Sequence, residues 1–537
     1  MAAFARLAVR WVIPGVLAVG ALACQTHRGV DDPPGGAEET DSGETPGTAD
    51  AGDGGGSGGS IPERPSDAGA PVAVDAGPTP AHDAGPQPAP TQPTLRVEVR
   101  DETAGALAPA KLVLVALDAG SNVPRIEFIS PSGSDIALPR GRYRATVARG
   151  FEYTRHTATV DLESTLTARL DVSLRRVVDT TGYLSGDFHV HTNGSFDSTD
   201  PADYKAAAAS AEGLEILVST EHDNIVDLRP GVADAGVGAW VNAIMGDEVS
   251  TGYGHFNAFP LALDRTARQN GAIQWYQKTA PTLFAHARRS YPQAIWQVNH
   301  PRMGMVGGYF NAAGYNAQTG VASNSSGWSD DFDTLEVVNG NGWREFENQI
   351  RADWFSFLNR GKRVTATGNS DSHFAARHAV GYPRNYVVSS TDDPRAANES
   401  EFIANVRAGR VVVSGGIFVT ASMGGATPGA LFTPSGTSPS IHVKAQAAPW
   451  VSVTKIEIYA NGQRVAERTL AAPGGAPPVV RFDDDIPLAF TRDTWVVAIA
   501  TGTGTLDPVA AGAKPFGFTN AIYVDVNANG RFDAPLP

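Results

Sequence analysis

Between about residues 183 and 413, strand-like apolar runs alternate with helical stretches, and the strand-like runs end at residues of metal-binding type. Such alternation predicts an α/β fold with a central sheet or barrel. In a parallel barrel the carboxyl ends of the strands converge on one face, where active sites lie. The polar residues that follow five of these runs are therefore expected to meet: His189 and His191 after 183–188, His222 after 214–218, Glu248 after 240–245, His300 after 294–298, and Asp371 with His373 after 363–367.

The local spacing of these residues suits metal binding. Side chains alternate along an extended chain, so His189 and His191 point to the same side, and Asp371 and His373 repeat this geometry. Imidazole and carboxylate ligands without thiolate favour Zn, Mn or Fe. The chain has one cysteine, Cys24, which excludes a disulfide framework, an iron–sulfur cluster and a cysteine-based zinc site.

Six short motifs extend this pattern: Asp187-Phe-His-Val-His-Thr192, Ser219-Thr-Glu-His-Asp223, Gly246-Asp-Glu248, Gly254-His-Phe-Asn257, Asn299-His-Pro-Arg302 and Gly368-Asn-Ser-Asp-Ser-His373. Together, and in this order, they resemble the ligand motifs of the PHP (polymerase and histidinol phosphatase) metallohydrolase family. Their spacing and the Gly-His-Phe-Asn element are most similar to the CehA/McbA branch, the carbaryl-hydrolase-like enzymes. The resemblance implies a distorted (β/α)7 barrel over residues 183–415 that holds two or three divalent metal ions.

The same resemblance implies a place for each ligand. His189, His191, Glu248 and Asp371 would bind the first metal, Glu248 would bridge to a second that is completed by His255 and His300, and His222 and His373 would hold a third. Family members usually carry an Asp or His five or six residues after the His-x-His pair, and Asp197 is the candidate here. We expect Asp200 instead to cap the helix that opens at Pro201. Asp187 and Glu221 are expected to lie beside the ligands and orient them.

The reaction implied by the resemblance is hydrolysis. Two ions that share Glu248 would also share a water, and their charge would lower its pKa so that a bridging hydroxide attacks a phosphoryl or acyl centre. A metal or Arg302 is expected to stabilise the developing oxyanion. Protonation of the leaving group is left open between Asp223 and His255.

The amino end resembles a secretory signal over residues 1–24. Arg6 and Arg10 precede a charge-free run, 11–23, that is too short to span a bilayer. Small residues before Cys24 resemble a bacterial lipobox, in which the cysteine is lipidated, although the same residues also fit an ordinary cleavage site. We expect an exported lipoprotein of the outer membrane or cell surface, held at the membrane by its acyl chains. A secreted or periplasmic protein is the alternative.

Residues 25–94 are expected to be a disordered linker. They hold 14 Gly, 12 Pro and no Phe, Trp or Tyr, so they cannot bury enough apolar area to offset the entropy of ordering. They also carry 12 acidic and two basic residues, which is −10 of the chain's net charge of −15. The acidity therefore describes mainly a solvated linker, and an acidic chain argues against a role in coating nucleic acid.

Two β-rich segments flank the middle segment: an N-terminal β-sandwich over 95–180 and a C-terminal β domain over 416–537, as indicated by short alternating runs and turn signals. In the last segment, oxygen-bearing side chains at every second place, followed by Gly530, resemble the first half of a calcium loop. The possible calcium ligands are Asp525, Asn527, Asn529 and Asp533. An Asn-Gly turn that closes the last hairpin is the alternative.

Three functions stay open from the sequence. The first is phosphoester hydrolysis, the commonest activity in the PHP family. The second is aryl ester or carbamate hydrolysis, which the most similar branch suggests. The third is a non-catalytic surface lipoprotein whose β domains bind glycan or protein. The complete ligand set argues against the third, so we expect a small-molecule phosphoester or ester as substrate.

Overall fold

The computed structural model describes residues 92–536 except 119–122, 305–306, 437 and 472–474. The expected signal segment with Cys24, and residues 25–91 of the expected linker, lie outside the described residues. Among the described residues, none of the helices is both long and apolar enough to cross a membrane. All of the described residues fall within one compact unit, residues 86–537.

The first part of the described chain consists of two four-stranded sheets. Its strands are β1 (Thr94–Asp101), β2 (Ala106–Leu107), β3 (Ala110–Ala116), β4 (Arg125–Ile129), β5 (Ser134–Ala137), β6 (Arg142–Ala148), β7 (His156–Asp161) and β8 (Thr167–Leu174). One sheet has the order β2-β1-β5 with β8 parallel to β1, and the other has the order β4-β3-β6-β7. Every second side chain of β1 is buried, as its alternating sequence predicts, and both sheets contribute to one apolar core.

The middle part mixes strands with short helices. Its strands are β9 (Tyr183–Val190), β10 (Ile216–Ser219), β11 (Asn242–Met245), β12 (Asp247–Thr251), β13 (Gly254–Phe259), β14 (Ile295–Val298), β15 (Tyr315–Asn316), β16 (Val321–Ala322), β17 (Thr334–Asn339), β18 (Thr365–Asn369), β19 (Arg384–Val388) and β20 (Val411–Gly415). Its helices are α1 (Ala202–Ala211), α2 (Arg229–Asp234), α3 (Ala280–Ser290), α4 (Tyr309–Ala313), α5 (Trp343–Glu345), α6 (Arg351–Asn359) and α7 (Glu399–Arg407).

Local sequence explains the two longest helices. α1 is rich in alanine, the residue with the highest helix propensity, and the small side chains let it lie buried against its neighbours. α3 begins with a proline in its first turn, buries Leu283, Phe284 and Ala287 on one face, and carries two arginines in its last turn. α1 packs against α2 and against β3 and β4. In α3, the ring of Phe284 packs against Phe256 of β13 and Trp296 of β14.

The middle strands pair in two ladders. β11-β10-β9-β19-β20 belong to one sheet and β12-β13-β14-β17-β18 to another. This pairing does not by itself show the expected (β/α)7 barrel, which stays a prediction. Helix content is low, and β12–β13, β13–β14 and β9–β19 are antiparallel. The reason is local, because β12 and β13 are joined by a two-residue turn, which permits only an antiparallel pair.

The two sheets nevertheless approach each other at two isolated parallel bridges. Val190 pairs with Ser372, and His222 pairs with Glu248. Both bridges involve the polar motifs of the sequence or their immediate neighbours. The place where the sheets meet is therefore also the place where the predicted ligands gather.

The last part of the chain extends one of these sheets. Its strands are β21 (Phe418–Ser422), β22 (Leu431–Phe432), β23 (Ser440–Gln446), β24 (Lys455–Ala460), β25 (Gln463–Thr469), β26 (Val480–Pro487), β27 (Thr494–Thr501), β28 (Phe516–Thr519) and β29 (Ile522–Val524). β20 pairs with β28, so the sheet continues through β28-β27-β24-β25, while β21-β23-β26 form a separate sheet. One apolar core runs from the middle part into this last part.

Candidate metal centre

Nine polar side chains converge where the two sheets meet. They lie on strand ends or in the loops that follow: His189 and His191 at the end of β9, Asp197 in the next loop, His222 after β10, Glu248 in β12, His255 in β13, His300 after β14, and Asp371 with His373 after β18. Their donor atoms form four overlapping groups, and within each group all donor atoms lie within 4.8 Å of one another. The structure thus brings together all nine residues that the sequence nominated as ligands.

Glu248 lies at the centre of the cluster. Its two carboxylate oxygens face different imidazoles: Oε1 is 3.1 Å from His189 Nε2, 3.4 Å from His255 Nδ1 and 3.4 Å from His300 Nε2, while Oε2 is 2.9 Å from His222 Nδ1 and 3.6 Å from His191 Nε2. The side chain is only 1% exposed. A carboxylate whose two oxygens serve separate groups of histidines has the geometry of a bridging ligand.

Asp371 lies opposite the histidine pair of β9. Its Oδ1 is 3.3 Å from His189 Nε2 and 3.1 Å from His191 Nε2. Two ligand atoms that sit about 2.1 Å from a tetrahedral ion are about 3.4 Å apart. The observed separations therefore match those of donors around a shared ion.

Asp197 joins two further histidines. Its Oδ2 is 3.2 Å from His222 Nε2 and 3.0 Å from His373 Nε2. Asp200 does not cap the following helix, which starts with Pro201 as its N-cap and has no side-chain cap. Asp200 Oδ2 instead accepts from the Ala375 backbone N–H at 2.7 Å. The expected capping role is thus wrong, because the loop after His373 supplies a closer donor.

Hydrogen bonds on the far side of the rings fix which nitrogen faces the cluster. His373 Nδ1 donates to the Asp371 carbonyl at 2.9 Å. His191 Nδ1 lies 3.0 Å from Ser195 Oγ, whose own hydroxyl donates to Glu221 at 2.7 Å. The proton therefore resides on Nδ1 in both rings, and the Nε2 lone pair points into the cluster, as metal-binding histidines require.

The chemistry of the donor set fits divalent cations. Six buried atoms of the cluster make no hydrogen bond: Nε2 of His189 and of His191, Nδ1 of His300, and one carboxylate oxygen each of Asp197, Glu248 and Asp371. Leaving a buried polar atom unpaired costs about 1–3 kcal/mol, so such atoms are rare in folded proteins. Bound cations would satisfy these lone pairs together, except that of His300 Nδ1, whose ring presents Nε2 to Glu248; hydrogen bonds within the cluster do not.

The electrostatics keep the central carboxylates ionised. Burial alone would raise the pKa of Glu248, but the imidazoles of His189 and His222 outweigh it and hold the pKa well below its usual value. The pKa of Asp371 is lowered in the same way, against burial, by His189 and His191. Both groups are therefore available as anionic ligands throughout the pH range in which proteins are handled.

Two residues of the cluster have left-handed backbones. His300 has φ 24° and Asp371 has φ 51°, and neither is glycine. Left-handed conformations of this kind cost roughly 1–3 kcal/mol for non-glycine residues and collect at functional sites. Each of these two residues points a ligand atom at Glu248 or at the His189–His191 pair.

Glu336 is a residue of the site that the sequence analysis missed. It lies fully buried in β17 and accepts from His189 Nδ1 at 3.0 Å, from the His300 backbone N–H at 2.7 Å, from Asn339 at 3.0 Å and from Asn369 at 2.9 Å. It thereby fixes the tautomer of His189 and the backbone of His300. A single carboxylate within the otherwise apolar run Leu335-Glu-Val-Val338 was the available signal.

Asp187 and Glu221 support the cluster without entering it. Asp187 accepts from the backbone N–H groups of His189, Ser370 and Gly381, which ties β9 to the loop that carries Asp371. Burial raises its pKa to about 6. Glu221 contacts His191 through Ser195, as described above. The role of both residues in orienting metal ligands stays a prediction.

Asp223 lies at the edge of the cluster. Its Oδ1 accepts from the Ser250 backbone N–H at 3.1 Å and from Trp275 Nε1 at 2.9 Å. Ser250 Oγ is in turn 2.6 Å from His222 Nδ1. Burial raises the pKa of Asp223. Asp223 is thus held between a ligand histidine and the cavity that Trp275 lines.

Arg302 does not face the cluster. Its guanidinium makes a paired contact with the buried carboxylate of Asp353, with Nε–Oδ2 2.8 Å and Nη2–Oδ1 2.6 Å, and it also donates to the Tyr315 carbonyl and to Asn311. The expected oxyanion contact is therefore corrected. Asp353 lies in α6, 51 residues away in sequence, and a buried carboxylate needs this cation.

The possible calcium loop forms a closed turn. Asp525 accepts from the backbone N–H groups of Asn529 and Gly530, and Asp533 accepts from the side-chain amides of Asn527 and Asn529. The carboxylates thus serve the turn itself. Calcium binding at this loop stays a prediction.

Comparison with known proteins gives only distant likenesses. No family model and no curated protein matches the chain. Among solved structures, a two-domain protein from Bacteroides vulgatus that contains a predicted PHP-like metal-dependent phosphoesterase is similar with 17% identity and a TM-score of 0.33, covering 64% of this chain and 97% of that one. A Paenibacillus cycloisomaltooligosaccharide glucanotransferase is similar with 9% identity and a TM-score of 0.13, covering 77% and 67%. Both likenesses are too low to assign a function, which is therefore argued from the cluster.

Proposed function

We propose that this protein is a metal-dependent hydrolase whose centre is the nine-residue cluster. The observation that carries the proposal is the convergence of buried, unpaired imidazole and carboxylate atoms at ligand-to-ligand distances. His189, His191, Glu248 and Asp371 would hold one ion, Glu248 with His255 and His300 a second, and Asp197 with His222 and His373 a third. Zn, Mn and Fe suit such a donor set.

A divalent ion bound there would polarise the substrate and lower the pKa of a coordinated water. The chain's own contribution is to keep Glu248 and Asp371 ionised and to hold the imidazoles of His189, His191 and His373 each in one tautomer. Asp223 is our choice as the proton donor to the leaving group, because its carboxyl lines the cavity beside His222. The bonds from Ser250 and Trp275 keep that carboxyl in place.

Phosphoester hydrolysis is the first choice of reaction. Sites in which a carboxylate bridges two ions serve in-line displacement at phosphorus, since both the attacking and the leaving oxygen are then stabilised. Glu248 is placed as such a bridge. Aryl ester or carbamate hydrolysis is the second choice. It is favoured because Arg302, the arginine within the ligand motifs, is paired with Asp353 and is therefore not free to bind a phosphate. A non-catalytic binding role would not require so complete a set of donors.

We also propose that the strands around the cluster form a distorted barrel of PHP type. The two isolated bridges between the sheets support this reading, since they lie where a closed barrel would be completed. The described strands otherwise pair as two separate ladders.

Export and lipidation at Cys24 are a further proposal, supported by the sequence of residues 1–24. Intact-mass analysis of the mature protein should give an acylated amino terminus at Cys24. An unmodified Cys24, or cleavage at another bond, would support simple secretion.

The decisive experiment measures metal and turnover together. The full chain, purified from metal-replete medium, should carry at least two transition-metal ions. Turnover is measured with three substrates: 4-nitrophenyl phosphate, bis(4-nitrophenyl) phosphate and 4-nitrophenyl acetate. All three release the same leaving group, and they distinguish phosphoester from carboxylic ester hydrolysis. His189→Ala and Asp371→Ala should reduce metal content and turnover at least about 10-fold, whereas His286→Ala, on the outer helix α3, should change neither. Wild-type protein without bound metal, or activity that survives exhaustive chelation, would contradict the proposal.

A further inference from the structure

A cavity of about 360 Å³ lies next to the metal cluster. Its lining residues come from Asp223 and from the segment 268–276: Asp223, Arg268, Gln269, Ile273, Gln274, Trp275 and Tyr276. Asp223 directly follows the ligand His222, so the cavity opens beside the cluster. The volume is within the usual range for small-molecule sites, roughly 300–1,000 Å³.

Several bonds hold the segment 268–276 in place. Asn270 donates to Asn224 at 3.2 Å and to the Ile225 carbonyl at 3.0 Å, and the Ile273 backbone N–H donates to buried Asp247 at 2.7 Å. Asn224 and Ile225 lie in the loop that carries His222, and Asp247 begins β12, which carries Glu248. The cavity is therefore formed by the same framework that forms the metal site.

One wall of the cavity is aromatic. The indole of Trp275 is fixed by its bond to Asp223, and the ring of Tyr276 follows it with a centroid distance of 6.5 Å. Tyr276 is 75% exposed, and Phe196, which stacks on His222 at 5.0 Å, is 87% exposed. Phe196 thus lies at the rim of the cluster, and Tyr276 lies in the wall of the cavity.

Two polar side chains, Arg268 and Gln269, also line the cavity beside this aromatic wall. Within the described part of the chain, the Arg268 guanidinium and the Gln269 carboxamide have no hydrogen-bond or ion-pair partner, although both line the cavity. Gln269 and Asn270 have left-handed backbones, with φ 51° and 56°. Strain of this kind is typical of segments whose side chains are positioned for a ligand.

We propose that this cavity is the subsite for a ring-bearing anionic group of the substrate, with the flat ring against Trp275 and Tyr276 and the negative charge at Arg268. The inference rests on the proposed hydrolase function and extends it, because it specifies the part of the substrate away from the bond that is cleaved. A guanidinium beside an aromatic wall recognises charge and planarity together.

Calorimetric titration of the full chain tests this directly, with and without bound metal. The probes are naphthalene-2-sulfonate, its uncharged sulfonamide, and cyclohexanesulfonate. The sulfonamide keeps the planar ring without the charge, and cyclohexanesulfonate keeps the charge without the planar ring. Sulfonates are weak metal ligands, so binding of these probes reports on the cavity rather than on bound metal. Naphthalene-2-sulfonate should bind best in both metal states. Arg268→Gln should weaken it by about 10-fold, to the level of the sulfonamide. Tyr276→Ala should weaken both naphthalene probes about 3–10-fold and leave cyclohexanesulfonate unchanged.

The matched controls are Arg265→Gln and Val321→Ala, which alter exposed residues that do not line the cavity. Absence of naphthalene-2-sulfonate binding to the wild type, or equal effects of Arg268→Gln and Arg265→Gln, overturns the inference while leaving the metal content and ester hydrolysis of the proposed function intact. Conversely, the expected binding pattern in a chain that takes up no metal overturns the hydrolase proposal and leaves the subsite as a binding pocket.

Discussion

Replacing Glu336 with Gln is the sharpest test of how the cluster is held. Four donors converge on the buried carboxylate of Glu336: His189 Nδ1, the His300 backbone N–H, and the side-chain amides of Asn339 and Asn369. Glutamine offers one acceptor oxygen and one amide nitrogen. Two of the four donors would then face another donor, so the variant keeps the size of the side chain but not its bonding.

The expected loss follows from that count. Removing a carboxylate that orients a metal-binding histidine costs about 10–100-fold in metal affinity, or about 1.4–2.7 kcal/mol. Two unsatisfied buried donors lower the free energy of unfolding by roughly 2–6 kcal/mol. Glu336→Asp keeps the charge, so its metal affinity and its free energy of unfolding should both lie between those of the wild type and of the Gln variant.

Competition titration with a chromogenic zinc chelator gives the affinity, and urea unfolding of the metal-free protein gives the stability. Thr334→Val is the matched control, because it alters the same buried strand and contacts Gln297 rather than a histidine. The reasoning is refuted if Glu336→Gln binds zinc as tightly as the wild type. It is also refuted if Thr334→Val loses as much zinc affinity as Glu336→Gln.

Three further predictions follow from single contacts. Arg302→Ala should lower the free energy of unfolding by about 3 kcal/mol, because it leaves the buried carboxylate of Asp353 without its cation. Turnover per folded molecule should be unchanged, and Arg344→Ala is the exposed control. A loss of turnover without destabilisation would show that Arg302 acts in the active site. Burial, with the carboxylate of Glu152 beside it, raises the pKa of Glu215 to about 7, above its unfolded value, so the folded state binds the extra proton and the contribution of Glu215 to stability should fall as pH rises from about 5 to 7, by roughly 3 kcal/mol. Glu215→Gln should reduce the slope of stability against pH in urea titrations and leave the part that comes from Asp187 and Asp247; an unchanged slope would mean that Glu215 ionises normally. Calcium should raise the melting temperature of the chain, and Asp525→Ala should remove that rise; equal melting with calcium and with chelator leaves only a turn at this loop.

The sequence alone nominated the residues of the cluster. His189, His191, Glu248 and Asp371 follow or end apolar runs, and the period of two in an extended chain places paired ligands on one side. These rules are local, so they orient each pair, but the meeting of the pairs depends on how the sheets are arranged. The α/β class follows from the same alternation of runs.

Only the tertiary structure decided the roles that depend on distant partners. Arg302 looked free beside His300, but Asp353, 51 residues further along the chain, takes its guanidinium. Glu336 looked like an ordinary strand residue, and its position beside His189, 147 residues away, makes it the support of the site. The two-ladder arrangement likewise depends on which strand ends meet. Contacts between segments so far apart are set by the packing of the whole chain, and no local pattern of residues encodes them.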